Sequence, residues 1–282
     1  MLKTNYHTHT EYCDGKGSVE EITIEAIEKG FDFLGFSSHS AWPFASDWHI
    51  APREIKKYIS DVKKTAEKYR DKIKILCGFE ADYIPKITKP SLKNDYSSLN
   101  PDFLIGSVHY LVTENGNFTV DDKTENVKAG IDICFNGDGK KCVQEYFKAQ
   151  REMLSAGDFT IWGHPDLVRK RNGILRFFDE KSDWYINELR ETAKIATKNG
   201  AIAEINTGAI SRGAMDGVYP SSDFLSILHE HGVPITLSSD SHQKEHLDFA
   251  FERALDAGIR AGYTEIAYID EERKIRFQKI EI

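Results

Sequence analysis

Several things are scarce in this chain, and each scarcity narrows the reading. There are four cysteines (Cys13, Cys77, Cys134 and Cys142) in 282 residues, too few and too irregularly spaced for a disulfide scaffold or a CxxC motif. No apolar run approaches 18 residues, which removes a membrane-spanning helix. The opening MLKTNY lacks the apolar stretch of a signal peptide, so the expected compartment is the cytoplasm. Positive charge is in deficit: 37 Lys plus Arg against 45 Asp plus Glu leaves −8. That balance argues against a broadly basic surface for nucleic acid or anionic membrane, while a local cationic pocket stays compatible with it. No Pro/Gly/Ser-rich linker divides the chain. The expectation is one domain over residues 1–282, a monomer without an obligate protein partner.

What is present is a repeated strand–helix grammar. LKTNYHTHT reads as a short strand running into a polar cluster, and Ser18-Val19-Glu20-Glu21 as a capping box for a helix ending near Lys29. FDFLGFSSHS is a buried strand opening into polar residues. A charged helix with Ile55, Ile59, Val62 and Ala66 on one stripe is expected over 52–70. Further strands are expected at 73–79, 102–108, 158–163, 201–206, 233–238 and 264–269, with helices over 141–156, 182–198, 222–231 and 244–257. Gly157, Gly200, Gly232 and Gly258 are placed to stop those helices. Alternation of this kind predicts a mainly parallel α/β sheet of seven or eight strands, closed or distorted into a barrel. Residues 83–101 and 112–140 interrupt the count. They read either as lid or wall for a substrate, the second as an inserted substrate-side loop, or as surface decoration.

Residues able to do chemistry fall at the strand ends. His7 and His9 follow the first strand, His39 the second, Glu80 the third, His109 the fourth and His164 the fifth, while Asp240 and His242 follow the seventh. On a barrel the C-terminal strand ends share one mouth. Six histidines with at least two carboxylates in that mouth suit zinc, manganese or iron, with carboxylates able to bridge two ions. Residues i and i+2 of an extended segment point the same way, so His7 and His9 can approach one ion together. Asp240-Ser241-His242 repeats the spacing, and Asp14 offers another oxygen. His49, His229 and His231 are read as ordinary surface or capping residues, His246 as an outside candidate. The constellation predicts metal-assisted hydrolysis. Arg169, Lys170 and Arg171 follow His164-Pro165-Asp166, and Arg212 lies in the loop after the sixth strand. Arg169 and Arg212 are the chosen phosphate-binding pair, because a guanidinium can hold phosphate through two parallel bonds.

At HTH (7–9), Asp14, SSHS, GFEADY, GSVHY, GHPD and SSDSH, the sequence resembles the polymerase-and-histidinol-phosphatase (PHP) family of metal-dependent phosphoesterases. That resemblance implies a distorted seven-stranded (β/α)7 TIM-like barrel with a metal site of two or three ions at the C-terminal strand ends, so the strand at 264–269 would be peripheral. It also implies a ligand distribution. His7, His9, Glu80 and Asp240 would surround one ion; Glu80, His109 and His164 a second; Asp14, His39 and His242 a third. Glu80, Asp240 and His242 would be catalytic. Within the family, GFEADY, PDFLIGSVHY and GHPDLVR look most like the stand-alone histidinol-phosphate phosphatases. The implied reaction is hydrolysis of L-histidinol phosphate to L-histidinol and phosphate in histidine biosynthesis. A nucleotide, sugar or phosphotyrosyl monoester is the alternative substrate. The leaving-group proton is left open among a metal-bound water, His242, Asp240 and Asp166. Glu80, Asp82, Tyr83, Phe118, Asp121, Asp122 and Phe135 are candidates for an acidic or aromatic wall around the substrate's ammonium and imidazole.

Overall fold

The structure, a computed structural model, describes residues 1–41 and 46–280. Among these, seven strands make one all-parallel sheet: β1 (Thr4–Asn5), β2 (Phe33–Phe36), β3 (Lys74–Asp82), β4 (Phe103–Ser107), β7 (Ile161–Trp162), β8 (Ile202–Asn206) and β9 (Ile235–Ser238), paired in that order. Two bonds bring the ends together, His9 N–H to Ser241 O (2.8 Å) and Ser241 N–H to His7 O (3.1 Å). With the parallel bridge between Thr8 and Ser241 they turn the sheet into a nearly closed barrel. The strands are short and buried on both faces, which is why they read as apolar runs without alternation.

Helices α1 (Val19–Glu28), α2 (Ile55–Tyr69), α4 (Gly139–Ala156), α6 (Asp183–Asn199), α8 (Ser222–Glu230) and α9 (Phe251–Arg260) connect the strands. The capping box forms as expected, with Glu21 N–H donating to Ser18 Oγ and Ser18 N–H to Glu21 Oε2 (2.9 Å). Gly200 ends α6 at φ 79°, a left-handed cap that a side chain would disfavour. The barrel interior is filled by Tyr6, Leu76, Phe103, Ile105 and Ile161. A Cβ on Gly35 or Gly78 would meet the Phe103 ring at 2.7 and 2.6 Å, so those glycines make room for that ring.

Two expectations need correction, and of the seven or eight strands expected the barrel has seven. The strand at 264–269 lies outside the barrel, as the resemblance implied. As β10 (Glu265–Ile269) it pairs antiparallel with β11 (Ile275–Lys279), and Ile269 packs into the barrel interior while exchanging two 2.9 Å bonds with the Tyr6 hydroxyl. The helix expected over 244–257 starts only at Phe251 and runs through Gly258 to Arg260. Contacts such as Asn5 Nδ2 to Leu247 O (3.1 Å) and a short 3-10 turn at Lys244–His246 hold the preceding residues irregular. Residues 112–140 are not a loop either. Hairpin β5–β6 (Tyr110–Thr113, Gly116–Thr119) turns at Glu114-Asn115, with Thr113 paired to Gly116, and helix α3 (Thr124–Phe135) lies on it, with Gly130 over the Phe118 ring.

Candidate metal centre

Each strand delivers its polar residue at the same end of the barrel. His7 and His9 leave β1, His39 follows β2, Glu80 lies near the end of β3, His109 follows β4, and His164 follows β7. Asp240 and His242 follow β9. Two of these positions have left-handed backbones without being glycine, His164 at φ 23° and Asp240 at φ 49°. Such conformations cost on the order of 1–3 kcal/mol and persist only when surrounding bonds fix them.

Glu80 is the hub. It is 1% exposed. Its Oε2 is 3.1 Å from His7 Nε2, 3.5 Å from His9 Nε2 and 2.9 Å from His39 Nδ1, and its Oε1 is 2.9 Å from His164 Nε2 and 3.5 Å from His109 Nε2. Asp240 Oδ1 stands 3.7 Å from His7 Nε2 and 3.3 Å from His9 Nε2. The four distances between these two imidazoles and these two carboxylates, 3.1–3.7 Å, lie near the spacing of about 3.4 Å that a tetrahedral ion with bonds near 2.1 Å imposes. His7 Nε2, His9 Nε2, His39 Nδ1 and Glu80 Oε2 are buried and make no hydrogen bond. Lone pairs left bare at one point are costly unless a cation takes them. The donor set therefore fits divalent metal.

A second gathering surrounds Asp14. Its carboxylate is 3.2 Å from His242 Nε2 and 3.8 Å from both His39 Nε2 and His9 Nδ1. The His9 and His242 rings stack at 4.0 Å. All nine expected ligands thus converge in one region, with His39 facing both Glu80 and Asp14. Burial by itself would raise the Glu80 pKa, but His7, His39 and His109 outweigh it and hold the carboxyl well below its usual range. Asp14 is shifted the same way, chiefly by its bond to His242 and the charge of His39 against the effect of burial.

A layer of partners orients the rings, and it was only partly foreseen. Asp82 accepts from His109 Nδ1 (2.6 Å) and lies 3.1 Å from His49 Nε2. His49, read from sequence as an ordinary surface residue, is buried beside the site. Glu204, in the middle of β8, was missed. The signal was a carboxylate inside the run AIAEIN, since a charge in a buried strand needs partners.

Above the cluster lies a cleft of about 650 Å³ lined by Asp14, His39, Glu80, His109, His164, Asp240 and His242, with Lys170, Arg212, Asp47, Trp48, Asp121 and Asp122 among its walls. Arg212 is where it was expected. It donates to Asp240 Oδ2 (2.8 Å) and Asp240 O (2.9 Å) with its fork at the cleft. Arg169 is not. It is bound by Glu180 Oε2 (2.6 Å) and Asp166 Oδ2 (3.3 Å) and lines a different cavity. In the 3-10 turn Leu167–Arg171, successive residues point about 120° apart. Lys170 consequently faces the cleft, paired with Asp121 at 2.9 Å. Asp166 is held behind the site by Ser221 N–H (2.8 Å). Tyr83 donates to Glu152, and Phe118 packs on Phe135, so of the expected aromatic wall these three serve packing. His229 meets Tyr263 edge-on, His246 lies tilted against Phe249, and His231 bonds Ile227 O, away from the cluster.

Among the described residues no helix is long and apolar enough to cross a membrane. Residues 5–208 match the family model of the PHP domain. A "probable histidinol-phosphatase" of Schizosaccharomyces pombe is 26% identical over 279 residues, 94% of this chain and 89% of that protein. The histidinol-phosphatase of Bacillus subtilis is 24% identical, covering 91% of this chain and 99% of its own length. Among solved structures, histidinol phosphate phosphatase from Lactococcus lactis, complexed with zinc, L-histidinol and phosphate, superposes with a TM-score of 0.70 at 22% identity over 97% of this chain and 98% of that one.

Proposed function

The chain belongs to the PHP-domain family, and from that premise we propose that it hydrolyses L-histidinol phosphate to L-histidinol and phosphate in histidine biosynthesis, a cytoplasmic role. The observation that carries the reading is the composition of the single cleft over the donor cluster. Its walls carry both signs of charge and an aromatic face: Arg212, Lys123 and Lys170, the last paired with Asp121 at 2.9 Å, together with Asp47, Asp122 and Trp48. Such a cleft suits a small molecule with a phosphate at one end and cationic or aromatic groups at the other. Full-length similarity to histidinol-phosphatases supports the same substrate.

His7, His9, Asp14, His39, Glu80, His109, His164, Asp240 and His242 would hold two or three divalent ions, zinc in the first instance and manganese or iron as alternatives. Bound ions would supply charge neutralisation at the phosphoryl oxygens and a more acidic attacking water. Glu80 gathers five imidazoles around one carboxylate and so fixes their mutual spacing. Arg212, oriented by Asp240, and Lys170, oriented by Asp121, bind the phosphate oxygens. Asp240 and His242 stand at the cleft for proton transfer to the leaving oxygen, where Asp166 does not reach. The hairpin and helix of residues 110–135 form the substrate-side wall.

Phosphate release by zinc-, manganese- or iron-loaded protein should be measured on L-histidinol phosphate, nucleotide monophosphates, sugar phosphates and phosphotyrosine, with a chelated control. Preference for histidinol phosphate by tenfold or more in kcat/KM is expected. Preference for another monoester would overturn the substrate while leaving the phosphoesterase, and no turnover by metal-loaded, folded protein would overturn the enzyme.

A further inference from the structure

Glu204 lies on β8 with no solvent exposure. It is not one of the donors grouped around the metal positions, yet it touches two of the residues that are. Its Oε1 accepts the backbone N–H of His164 (2.8 Å) and Nδ2 of Asn206 (2.7 Å). His7 Nδ1 lies 2.9 Å from Oε2 and 3.1 Å from Oε1. The direction of each bond can be fixed. Asn206 Oδ1 accepts the Gly208 N–H (2.8 Å), so its amide must present NH2 to Glu204. The His164 contact is a backbone donor. A carboxylate between these groups can only accept, so His7 Nδ1 carries the proton.

Two consequences follow for the cluster. A proton fixed on Nδ1 leaves Nε2 of neutral His7 as a bare lone pair, and that atom faces Glu80 Oε2 at 3.1 Å and Asp240 Oδ1 at 3.7 Å. His164 is the residue at φ 23°, and its N–H is pinned by the same oxygen. One carboxylate therefore sets the ring of a ligand from the first strand and the backbone of a ligand from the fifth. Asn206 extends the network to Asp240 Oδ2 at 3.4 Å.

We infer that Glu204 is a positioning residue that locks His7 in the Nδ1–H tautomer and holds His164 in its left-handed backbone, so that the two rings ligate metal together. The inference rests on the metal-centre part of the proposed function and is independent of the substrate.

Glu204→Gln is the discriminating change because it keeps shape and volume. The amide oxygen must face His164 N–H and the Asn206 NH2, since the opposite orientation sets donor against donor. The new NH2 then faces His7 Nδ1 and drives the proton to Nε2, where no lone pair remains for a metal. The expected result is a 10- to 100-fold weaker zinc affinity in competition with a chelator. The zinc-free variant should melt within a few degrees of the zinc-free wild type. In nitrogen-detected NMR of the zinc-loaded wild type, His7 should show a slowly exchanging Nδ1–H, which E204Q loses. E204D, which keeps an acceptor-only carboxylate, should restore part of the affinity.

Unchanged zinc affinity in E204Q would overturn the inference. So would a zinc loss accompanied by collapse of the zinc-free fold that E204D shares, which is the signature of a merely structural residue. Should E204Q not fold, the wild-type spectrum still decides, because a His7 without Nδ1–H in the zinc-loaded protein contradicts the tautomer lock. A wild type that binds no zinc, manganese or iron would instead remove the metal centre itself. Failure to turn over histidinol phosphate bears on neither readout.

Discussion

Replacing Arg212 by alanine tests whether the cleft binds phosphate as described. The guanidinium gives two bonds to Asp240, to Oδ2 at 2.8 Å and to the backbone oxygen at 2.9 Å, and its Nη1 lies 3.1 Å from His242 Nδ1. Its side chain remains 31% exposed, toward the cleft, so donors are left for a ligand. Loss of one charge-assisted contact to phosphate costs about 1.5–3 kcal/mol. At about 1.4 kcal/mol per tenfold, that is about 10- to 150-fold in kcat/KM. Lysine at 212 keeps the charge but cannot reach Asp240 and phosphate in a fork, so it should fall between wild type and alanine. The assay is phosphate release at saturating metal, with bound metal measured on the same samples. Full kcat/KM in R212A would refute the clamp. A metal content that falls in step with activity would show that Arg212 acts by holding Asp240 rather than by binding substrate.

Lys170→Met and Arg169→Ala should separate in opposite directions. Lys170 faces the cleft, so its loss should lower kcat/KM about tenfold or more with little change in Tm, whereas loss of Arg169 leaves Asp166 buried and unpaired and should destabilise by about 3 kcal/mol while kcat/KM per folded molecule stays within about threefold; the reverse pattern would restore Arg169 to the site. Asp248 binds Lys3 at 2.7 Å and Lys29 at 2.9 Å, and although burial raises its pKa those two bonds bring it below the usual value. A depressed carboxylate contributes above its unfolded pKa of about 3.9 and loses that contribution as pH falls through the lower folded value. Asp248→Asn should therefore cost about 1 kcal/mol at pH 6–8 and nothing at a pH below the folded pKa, and a Tm difference that persists there would contradict the pairing.

How much of this was legible in the sequence depended on where a residue sits relative to a strand end. His39, Glu80, His109, His164 and Asp240 are polar residues closing apolar runs, and a parallel barrel sends all such ends to one mouth. Glu204 bonds two of the cluster's residues, His7 and His164, from inside a strand, where pattern gives depth but not the neighbour across the barrel. The choice between Arg169 and Lys170 depended on the phase of a 3-10 turn, which neighbouring basic residues do not encode. The hairpin over 110–119 turns at Glu114-Asn115, a pair with no strong turn signature, and its polar surroundings obscured it. Residues 264–269 carry a genuine strand pattern that periodicity alone adds to the barrel; the family resemblance placed it outside, and the Tyr6–Ile269 bonds show how it packs there.

The bond pair between the His7–His9 segment and Ser241 also sets a clock. Ribosomal synthesis at about 5–20 residues per second separates the emergence of these two segments by about 10–50 s. Within that interval His39, Glu80, His109, His164 and Glu204 join the His7–His9 pair before Asp240 and His242 exist. A fragment ending before residue 240 would carry seven of the nine expected donors but would lack the strand whose bonds to His7 and His9 close the barrel.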